Sequence, residues 1–273
     1  MKKALSLLLV AVLLLTFGLC GCGEAKPNDD ADATTKKLVM ATNAAFPPYE
    51  FVDDDGNYAG IDVEIAGLIA QELGMELEIK DVDFGAILSG VQTGMYDIGM
   101  AGITVKEDRK LMVNFSNTYA TAKQVVIVKE DSTVTSFEEF YTGYDDEGNP
   151  NGVVEGVKIG VQQDTTGHIY ASDDVENWGF GADNVTAYKT GPDAVQALLT
   201  DKITAVIIDS EPAKAFVAQN EGLKILDGAY ADEEYAIGIN KEDTELLEKV
   251  NAALKKFTDN GEIQKIVDKY ITE

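Results

Sequence analysis

Residues 101–109 (AGITVKEDR) contain the residue types that can hold a small anion. Thr104 and Glu107 have the spacing of a capping box, in which a threonine hydroxyl accepts a hydrogen bond from a first-turn amide and a glutamate reaches back. The amides and positive dipole end of such a turn attract anions, and the planar fork of Arg109 fits a carboxylate in a bidentate manner. The segment therefore predicts a carboxylate clamp. The alternative is a capped surface helix with a solvated arginine.

Two other polar segments follow predicted strands. The turn at 162–167 comes after an apolar strand at 158–161, and Asp209 comes after a buried strand at 205–208. In open α/β sheets, the ligand crevice lies at the carboxyl ends of the strands. Asp209 in that position could accept hydrogen bonds from an ammonium group, and the alternative is that it caps a helix.

Hydrophobic periodicity predicts the elements that position these residues, an α/β alternation from Leu38 onward. The predicted strands cover 37–42, 75–80, 96–100, 124–128, 158–161, 205–208 and 235–239. The predicted helices cover 61–73, 84–94, 193–199, a segment that begins at 210, 244–258 and a last segment that ends at 271. The chain after residue 36 is long enough for two domains of roughly 100 residues each.

The N-terminus has the features of a secretory signal. Lys2 and Lys3 precede an apolar run at 4–19 that is too short for a comfortable bilayer span. Residues 19–22 (LCGC) resemble a bacterial lipobox, which predicts a signal peptide at 1–22 and a lipid on Cys22; the alternative is a plain signal peptide. Residues 23–36 contain no large apolar side chain, so we predict a flexible tether there.

Composition excludes several functional classes. With 22 basic and 48 acidic residues, the chain has a formal net charge of −26, which repels nucleic acid and anionic lipid head groups. The sequence has no zinc-type Cys/His cluster, nucleophile elbow, P-loop or GxGxxG fingerprint, so we expect no catalytic residue, cofactor or metal. The single histidine, His168, is either a cleft contact or an exposed helix residue.

Taken together, these motifs resemble the extracytoplasmic solute-binding lipoproteins of the polar amino acid family, which serve ABC importers. The resemblance covers nearly all of residues 38–270 and rests on the order of these segments: 41–49 (ATNAAFPPY), 60–63 (GIDV), 83–84 (DF), 101–109, 114–116 (NFS), 160–163 (GVQQ), 165–166 (TT) and 207–209 (IID). It implies a two-lobed, type II periplasmic-binding-protein-like fold with two crossover hinge strands. By analogy, lobe 1 covers 37–120 plus 235–273 and lobe 2 covers 121–234.

The resemblance also implies roles for individual residues. Arg109 would hold the ligand α-carboxylate, with help from the Thr104 hydroxyl, the Gly102 backbone and Thr166 of the facing lobe. Asp209 would hold the α-ammonium. Such a division is physically reasonable, because two charges that are buried together both need partners.

The remaining implied contacts concern the ligand side chain. Phe46 and Phe84 would sandwich it, although aromatic residues are also common in ordinary cores. Asn43 would read its polar end, and weaker candidates are Gln162, Tyr49 and Glu211.

Two departures from the family pattern affect specificity and shape. Relatives that select basic amino acids often have an acid at the position of Asn43, so the resemblance favours an uncharged polar side chain, unless Glu50 or Glu211 supplies a charge.

Residues 137–155 are longer than the usual loop and predict a polar surface excursion. Their acidic residues suggest weak calcium binding, although the spacing is not that of an EF-hand.

The resemblance implies a monomer that is anchored outside the cytoplasm by Cys22 and delivers a polar L-amino acid to an ABC permease and its ATPase. Two alternatives stay open. One is an enzyme similar to cyclohexadienyl or prephenate dehydratases, which share this fold and its carboxylate clamp. The other is a ligand-sensing subunit.

Overall fold

The computed structural model describes residues 36–271, which fold into two mixed sheets and a small three-stranded sheet. The strands are β1 (Lys37–Thr42), β2 (Ala45–Phe46), β3 (Glu50–Val52), β4 (Tyr58–Ala59), β5 (Glu76–Asp81), β6 (Ile98–Gly99), β7 (Val113–Phe115), β8 (Ala120–Lys129), β9 (Ile159–Gln162), β10 (Val185–Tyr188), β11 (Ala205–Asp209), β12 (Leu223–Ile225), β13 (Ala231–Tyr235) and β14 (Gly238–Asn240). The α-helices are α1 (Ile61–Glu72), α2 (Phe84–Gln92), α3 (Glu107–Lys110), α4 (Thr166–Ser172), α5 (Gly191–Leu199), α6 (Ser210–Gln219), α7 (Thr244–Asp259) and α8 (Glu262–Tyr270). Short 3-10 turns cover Phe137–Phe140, Val175–Asn177 and Ala182–Asn184.

The first sheet has the strand order β5-β1-β6-β14-β7. β1 pairs in parallel with β5 and β6, whereas β14 is antiparallel to β6 and β7. Leu38, Met40 and Ile98 are completely buried in this sheet. Burial of such side chains stabilises the fold by about 1.5–3 kcal/mol each, which makes the sheet a rigid base for the loops at its edge.

Helix α1 covers this sheet with an apolar face, because Ile61, Ile65 and Ile69 recur at helical spacing and are almost fully buried. Gly60 precedes the helix with a φ of 122°. A Cβ at Gly60 would lie 2.2 Å from the carbonyl oxygen of Tyr49, so only glycine allows the chain to approach this closely.

The second sheet has the order β10-β9-β11-β8-β12, and β13 also pairs with β8. β9 lies parallel to β10 and β11, while β8 is antiparallel to β11, β12 and β13. The parallel part places the ends of β9 and β11 at the same edge of the sheet. Gln162 and Asp209 are the last residues of these two strands.

Two antiparallel strands, β8 and β13, connect the sheets. Where β8 begins and β13 ends, the amide of Tyr119 donates to the carbonyl of Tyr235 at 3.0 Å, and the amide of Ala236 donates to the carbonyl of Ile103 at 3.1 Å. The strands then run side by side into the second sheet. The expected two-lobed α/β fold with two crossover strands is therefore confirmed.

The predicted elements differ from the structure mainly around this connection. The strand predicted at 235–239 is in fact two strands, β13 and β14, which belong to different sheets and are separated by Ala236 and Ile237. The strand predicted at 124–128 is ten residues long, because its first half forms the connection. The strand predicted at 96–100 is reduced to Ile98–Gly99, since the carboxylate of Asp97 accepts the hydrogen bond of the Val39 amide instead.

The predictions for the N-terminus fall on residues that the structure does not describe. These are the signal peptide at 1–22, the lipidated Cys22 and the tether up to residue 35. Within residues 36–271, none of the helices is long and apolar enough to cross a membrane.

Candidate functional site

All nine residues predicted from the sequence to bind a ligand line one cavity between the two sheets. The cavity has a volume of about 300 Å³ and is narrow. The lining residues are Asn43, Phe46, Glu50, Phe84, Ala101, Gly102, Thr104, Arg109, Gln162, Thr165, Thr166 and Asp209. Glu50, Ala101 and Thr165 are the members that were not among the predicted nine.

Arg109 is the buried cation of this cavity, with only 6% of its surface exposed. It donates from Nη1 to the Thr104 carbonyl at 3.0 Å and from Nη2 to the Asp164 carbonyl at 3.2 Å. The guanidinium also lies 5.4 Å from the ring centre of Phe84. Burial lowers the pKa of Arg109, but a guanidinium stays charged in proteins. Two of its five N–H groups are used, so the remaining ones can bind a carboxylate.

The capping box predicted at Thr104 and Glu107 is wrong. The helix there, α3, has only four residues, begins at Glu107 and has no side-chain cap. Instead, the Thr104 hydroxyl donates to Oε2 of Glu233 at 3.0 Å, a residue 129 positions away. The Thr104 hydroxyl therefore bonds to a residue distant in the sequence instead of to the first turn of the helix, and Thr104 still lines the cavity.

Gly102 cannot supply a free amide to the ligand carboxylate, contrary to the expected backbone contact. Its N–H donates to Oδ2 of Asp62 at 2.9 Å, which leaves only its carbonyl oxygen as a polar group. Gly102 has a φ of +52°, and a Cβ there would lie 3.0 Å from Cε1 of Phe46. The position therefore brings the backbone close to the aromatic wall of the cavity, where a carbonyl can accept from an ammonium group.

Asp209 ends β11 and precedes α6, but its side chain makes no helix-capping hydrogen bond. Its Oδ1 accepts a hydrogen bond from the hydroxyl of Tyr235. The side chain is 6% exposed and lines the cavity. The geometry thus argues against the alternative that Asp209 serves as a helix cap, and it leaves the carboxyl group facing the space where an ammonium could bind.

Asn43 and Gln162 close the cavity from opposite sheets. Nε2 of Gln162 donates to Oδ1 of Asn43 at 2.9 Å, and both side chains are buried. Nδ2 of Asn43 donates to the Val82 carbonyl at 2.8 Å, which fixes the orientation of the amide. Each amide has both donor and acceptor atoms, so the pair can rearrange its hydrogen bonds toward a polar ligand side chain.

The remaining lining residues shape the walls. Phe46 is 7% exposed and packs against the ring of Tyr49 at 6.1 Å between ring centres, whereas Phe84 is half-buried. Thr166 begins α4 and accepts a hydrogen bond of 3.4 Å from Nε2 of Gln124. Two aromatic faces and a hydroxyl therefore surround the polar centre.

Three weaker candidates lie outside this lining. Tyr49 is buried behind Phe46. Glu211 forms an ion pair of 2.7 Å with Lys214 and lines a neighbouring, open depression. His168 lies in α4 and accepts a hydrogen bond from the Asp164 amide at its Nδ1, 3.2 Å away.

Glu233 was missed by the sequence analysis, although it is only 5% exposed beside the cavity. Its Oε2 accepts from Nε2 of Gln124 at 3.0 Å in addition to Thr104. The available signal was the alternation of β13, in which Glu233 and Tyr235 point inward between exposed acidic residues. The predicted strand began at Tyr235, so Glu233 was not assigned to any element.

Acidic side chains outnumber basic ones among the described residues buried around the cavity. Among residues 36–271, four acidic side chains are buried against the single buried cation Arg109; they are Glu50, Asp62, Asp209 and Glu233. Burial raises the pKa of Asp62 to about 7, and burial together with Asp62 raises the pKa of Glu50 well above its ordinary value. These raised pKa values favour the neutral acids, and a positively charged ligand group beside them would shift them toward the ionised form. Across the same residues, no group of three potential ligands is arranged to hold a metal ion.

A family model of bacterial extracellular solute-binding proteins, family 3, matches residues 38–273. The chain belongs to this family. Its members act outside the cytoplasm as binding proteins, in agreement with the resemblance noted from the motifs.

Individual relatives span nearly their full lengths in the comparison. The arginine-binding extracellular protein ArtP of Bacillus subtilis is 31% identical over 100% of this chain and 99% of its own. An ancestral arginine-binding protein bound to glutamine is 33% identical with a TM-score of 0.75, over 87% of this chain and 98% of its own. The substrate-binding protein of an amino acid ABC transporter is 30% identical with a TM-score of 0.75, over 87% of this chain and all of its own. These structural matches support the same two-lobed fold.

Proposed function

We propose that the protein captures a polar L-amino acid between two lobes and delivers it to an ABC permease. The lobes comprise residues 37–120 plus 235–273 and residues 121–234. The observation that carries this proposal is that buried Arg109 and buried Asp209 line the same narrow cavity. A guanidinium and a carboxyl group held in one cavity complement the two charged groups of an α-amino acid.

Within this site, Arg109 binds the α-carboxylate together with Thr166. Asp209 and the Gly102 carbonyl accept from the α-ammonium, while the rings of Phe46 and Phe84 hold the side chain. Each charged group of the ligand thus exchanges its water for protein groups that complement its charge.

Capture requires the cleft to open and close. The hydrogen bonds from Gln162 to Asn43 and from Arg109 to Asp164 both join residues from the two sides of the cavity. Opening breaks these contacts, and a ligand favours closure only through the contacts that it makes with both sides. The strands β8 and β13 are the connection about which such a movement turns.

L-Arginine is the first candidate ligand. Glu50 is an acidic lining residue besides Asp209, and a carboxyl group there favours a positively charged side chain; ArtP is named for arginine binding. L-Glutamine is the second candidate, because the paired amides of Asn43 and Gln162 match an amide side chain. The ancestral relative that was solved with glutamine supports this choice.

We further propose that the chain works as a monomer without catalysing a reaction, and that a lipid on Cys22 anchors it to the membrane. Labelling of intact cells with a radioactive fatty acid would test the anchor. Incorporation that Cys22→Ala abolishes supports it, and incorporation that persists contradicts it.

A thermal-shift screen of residues 35–273 tests the function. The protein is refolded to remove carried-over ligand and is heated with each proteinogenic amino acid and with prephenate. A ligand at 100 times its Kd adds about 2.7 kcal/mol to the free energy of unfolding, which raises the midpoint by several degrees. Stabilisation by one or a few amino acids supports transport. Stabilisation by prephenate alone, with turnover, would support a dehydratase instead.

A further inference from the structure

The long segment at 137–155 has no part in the proposed amino acid site, yet its own contacts give it a defined structure. It begins with a 3-10 turn at Phe137–Phe140 that a capping box closes. An isolated bridge from Tyr141 to Val153 then folds the segment back on itself. Phe140 and Tyr141 are buried in the apolar cluster beside the second sheet. The segment is therefore a built part of this half of the molecule, and its use needs a separate explanation.

This segment completes a second concave site, which we call the aromatic pocket. Four rings line it, those of Phe137, Tyr170, Trp178 and Tyr230. The ring of Phe137 meets that of Tyr230 at 5.3 Å between centres and an angle of 88°, and it meets that of Trp178 at 6.1 Å and 67°. Rings at such angles turn their faces in different directions, as the walls of an aromatic cage do. None of the lining residues belongs to the amino acid cavity.

Trp178 is held in position by its own backbone and by two phenols. Its φ is 65°, in the left-handed region that a bulky side chain rarely adopts. The hydroxyls of Tyr141 and Tyr230 both donate to its carbonyl oxygen, that of Tyr141 at 2.6 Å. A strained residue persists only where its surroundings fix it, and such residues cluster at ligand sites. The indole is thus a preorganised wall, which lowers the entropic cost of binding.

The rim of the aromatic pocket is suited to positive charge. Glu138 and Asp173 line the pocket and are exposed, and neither is a member of an ion pair among residues 36–271. Within that part of the chain, no basic residue lines the pocket. One of its rings already attracts a cation, because Nζ of Lys106 lies 4.5 Å from the ring centre of Tyr170. Ring faces and carboxylates both attract cations, so the pocket selects against anions.

We propose that the aromatic pocket binds a small organic cation of the quaternary ammonium class. Such a cation has no N–H group that needs an acceptor, so ring faces can surround its methyl groups while Glu138 and Asp173 complement its charge at the rim. A metal ion fits less well, because no group of three potential ligands is arranged to hold one within residues 36–271. The proposal goes beyond amino acid import and does not depend on it.

Fluorescence tests the proposal, because Trp178 is the sole tryptophan of the chain. The protein is titrated at constant ionic strength with choline, with sodium chloride, and with the uncharged analogue of choline in which carbon replaces nitrogen. Choline should change the emission in a saturable manner, the analogue should bind at least about tenfold more weakly, and sodium should have no effect. The response to choline should persist when an excess of the stabilising amino acid fills the other cavity. No saturable change, an equal response to the analogue, or loss of the response when that cavity is filled would overturn the proposal.

Three variants locate the site. Phe137→Leu keeps an apolar side chain but removes a ring face, and it should raise the Kd for choline roughly threefold to thirtyfold. Glu138→Gln should raise it about twofold to fivefold through loss of a rim charge, and its exposed position makes it the safer variant for folding. Glu147→Gln is the matched control, since it makes the same change at an exposed position of the same segment outside the pocket; its Kd should equal that of the parent. Melting curves check that each variant folds. Parent affinity in folded Glu138→Gln and Phe137→Leu, or an equal loss in Glu147→Gln, would overturn the site.

Discussion

Replacement of Arg109 by alanine should abolish most ligand affinity without unfolding the protein. The guanidinium is 6% exposed, so a carboxylate that binds beside it is also removed from water. Loss of one partner of a buried ion pair costs about 3–5 kcal/mol, because the other charge stays buried and unpaired. At about 1.4 kcal/mol for each factor of ten, the Kd should increase by roughly 100-fold to 3,000-fold.

The effect on the free protein should be smaller. Arg109 donates to two carbonyl groups, at Thr104 and Asp164, and contacts the ring of Phe84. Removal of these contacts should lower the melting temperature by several degrees, since neutral partners contribute about 1 kcal/mol each. Lys110→Ala is the matched control, because Lys110 is exposed and pairs only with exposed Glu107 at the surface. Its Kd should stay within twofold of the parent value.

The decisive comparison uses a ligand that lacks the α-carboxylate. Calorimetric titrations measure L-arginine and its decarboxylated amine against the parent protein and Arg109→Ala. If Arg109 binds the carboxylate, the variant should lose most of its affinity for L-arginine and less than tenfold for the amine. Equal losses for the two ligands, or an unchanged Kd for L-arginine, would refute the assignment.

Three further predictions test other parts of the site. Burial raises the pKa of Asp62 to about 7, so the folded protein keeps a proton that the unfolded chain loses near pH 4. The free energy of unfolding should therefore fall as the pH rises from 4 to 7. Urea titrations of Asp62→Asn should show a weaker fall over the same range. Phe84→Ala should raise the Kd about tenfold in calorimetry through loss of the ring beside the guanidinium, and an unchanged Kd would contradict its role as a wall. Gly102→Ala should lower both the melting temperature and the affinity, because the residue has a positive φ and its new Cβ would crowd the ring of Phe46. The control is Gly67→Ala in α1, where no atom lies within 4 Å of the new Cβ; it should stabilise the fold slightly.

Motif order predicted the composition of the cavity well, because the relevant residues follow strand ends. Gln162 and Asp209 end β9 and β11, and Asn43 follows β1. Side chains at the ends of parallel strands meet at one edge whatever the details of packing. The sequence therefore sufficed to select residues that the fold brings together, including Phe46 and Arg109.

Hydrogen-bond partners were less predictable, because they depend on distant segments. Thr104 has the local pattern of a helix cap, yet its hydroxyl bonds to Glu233 on a connecting strand. The Gly102 amide likewise bonds to Asp62, forty positions away. Local periodicity also could not show that the chain crosses from one sheet to the other at Ala236, since the run from Tyr235 to Ile239 is continuously buried and mostly apolar.

A crystal structure of the protein with a bound amino acid tests the central claim most directly. We predict a ligand in the cavity with its α-carboxylate within hydrogen-bonding distance of Arg109 and its α-ammonium within that distance of Asp209. A ligand bound in the reverse orientation, or outside this cavity, would contradict the account.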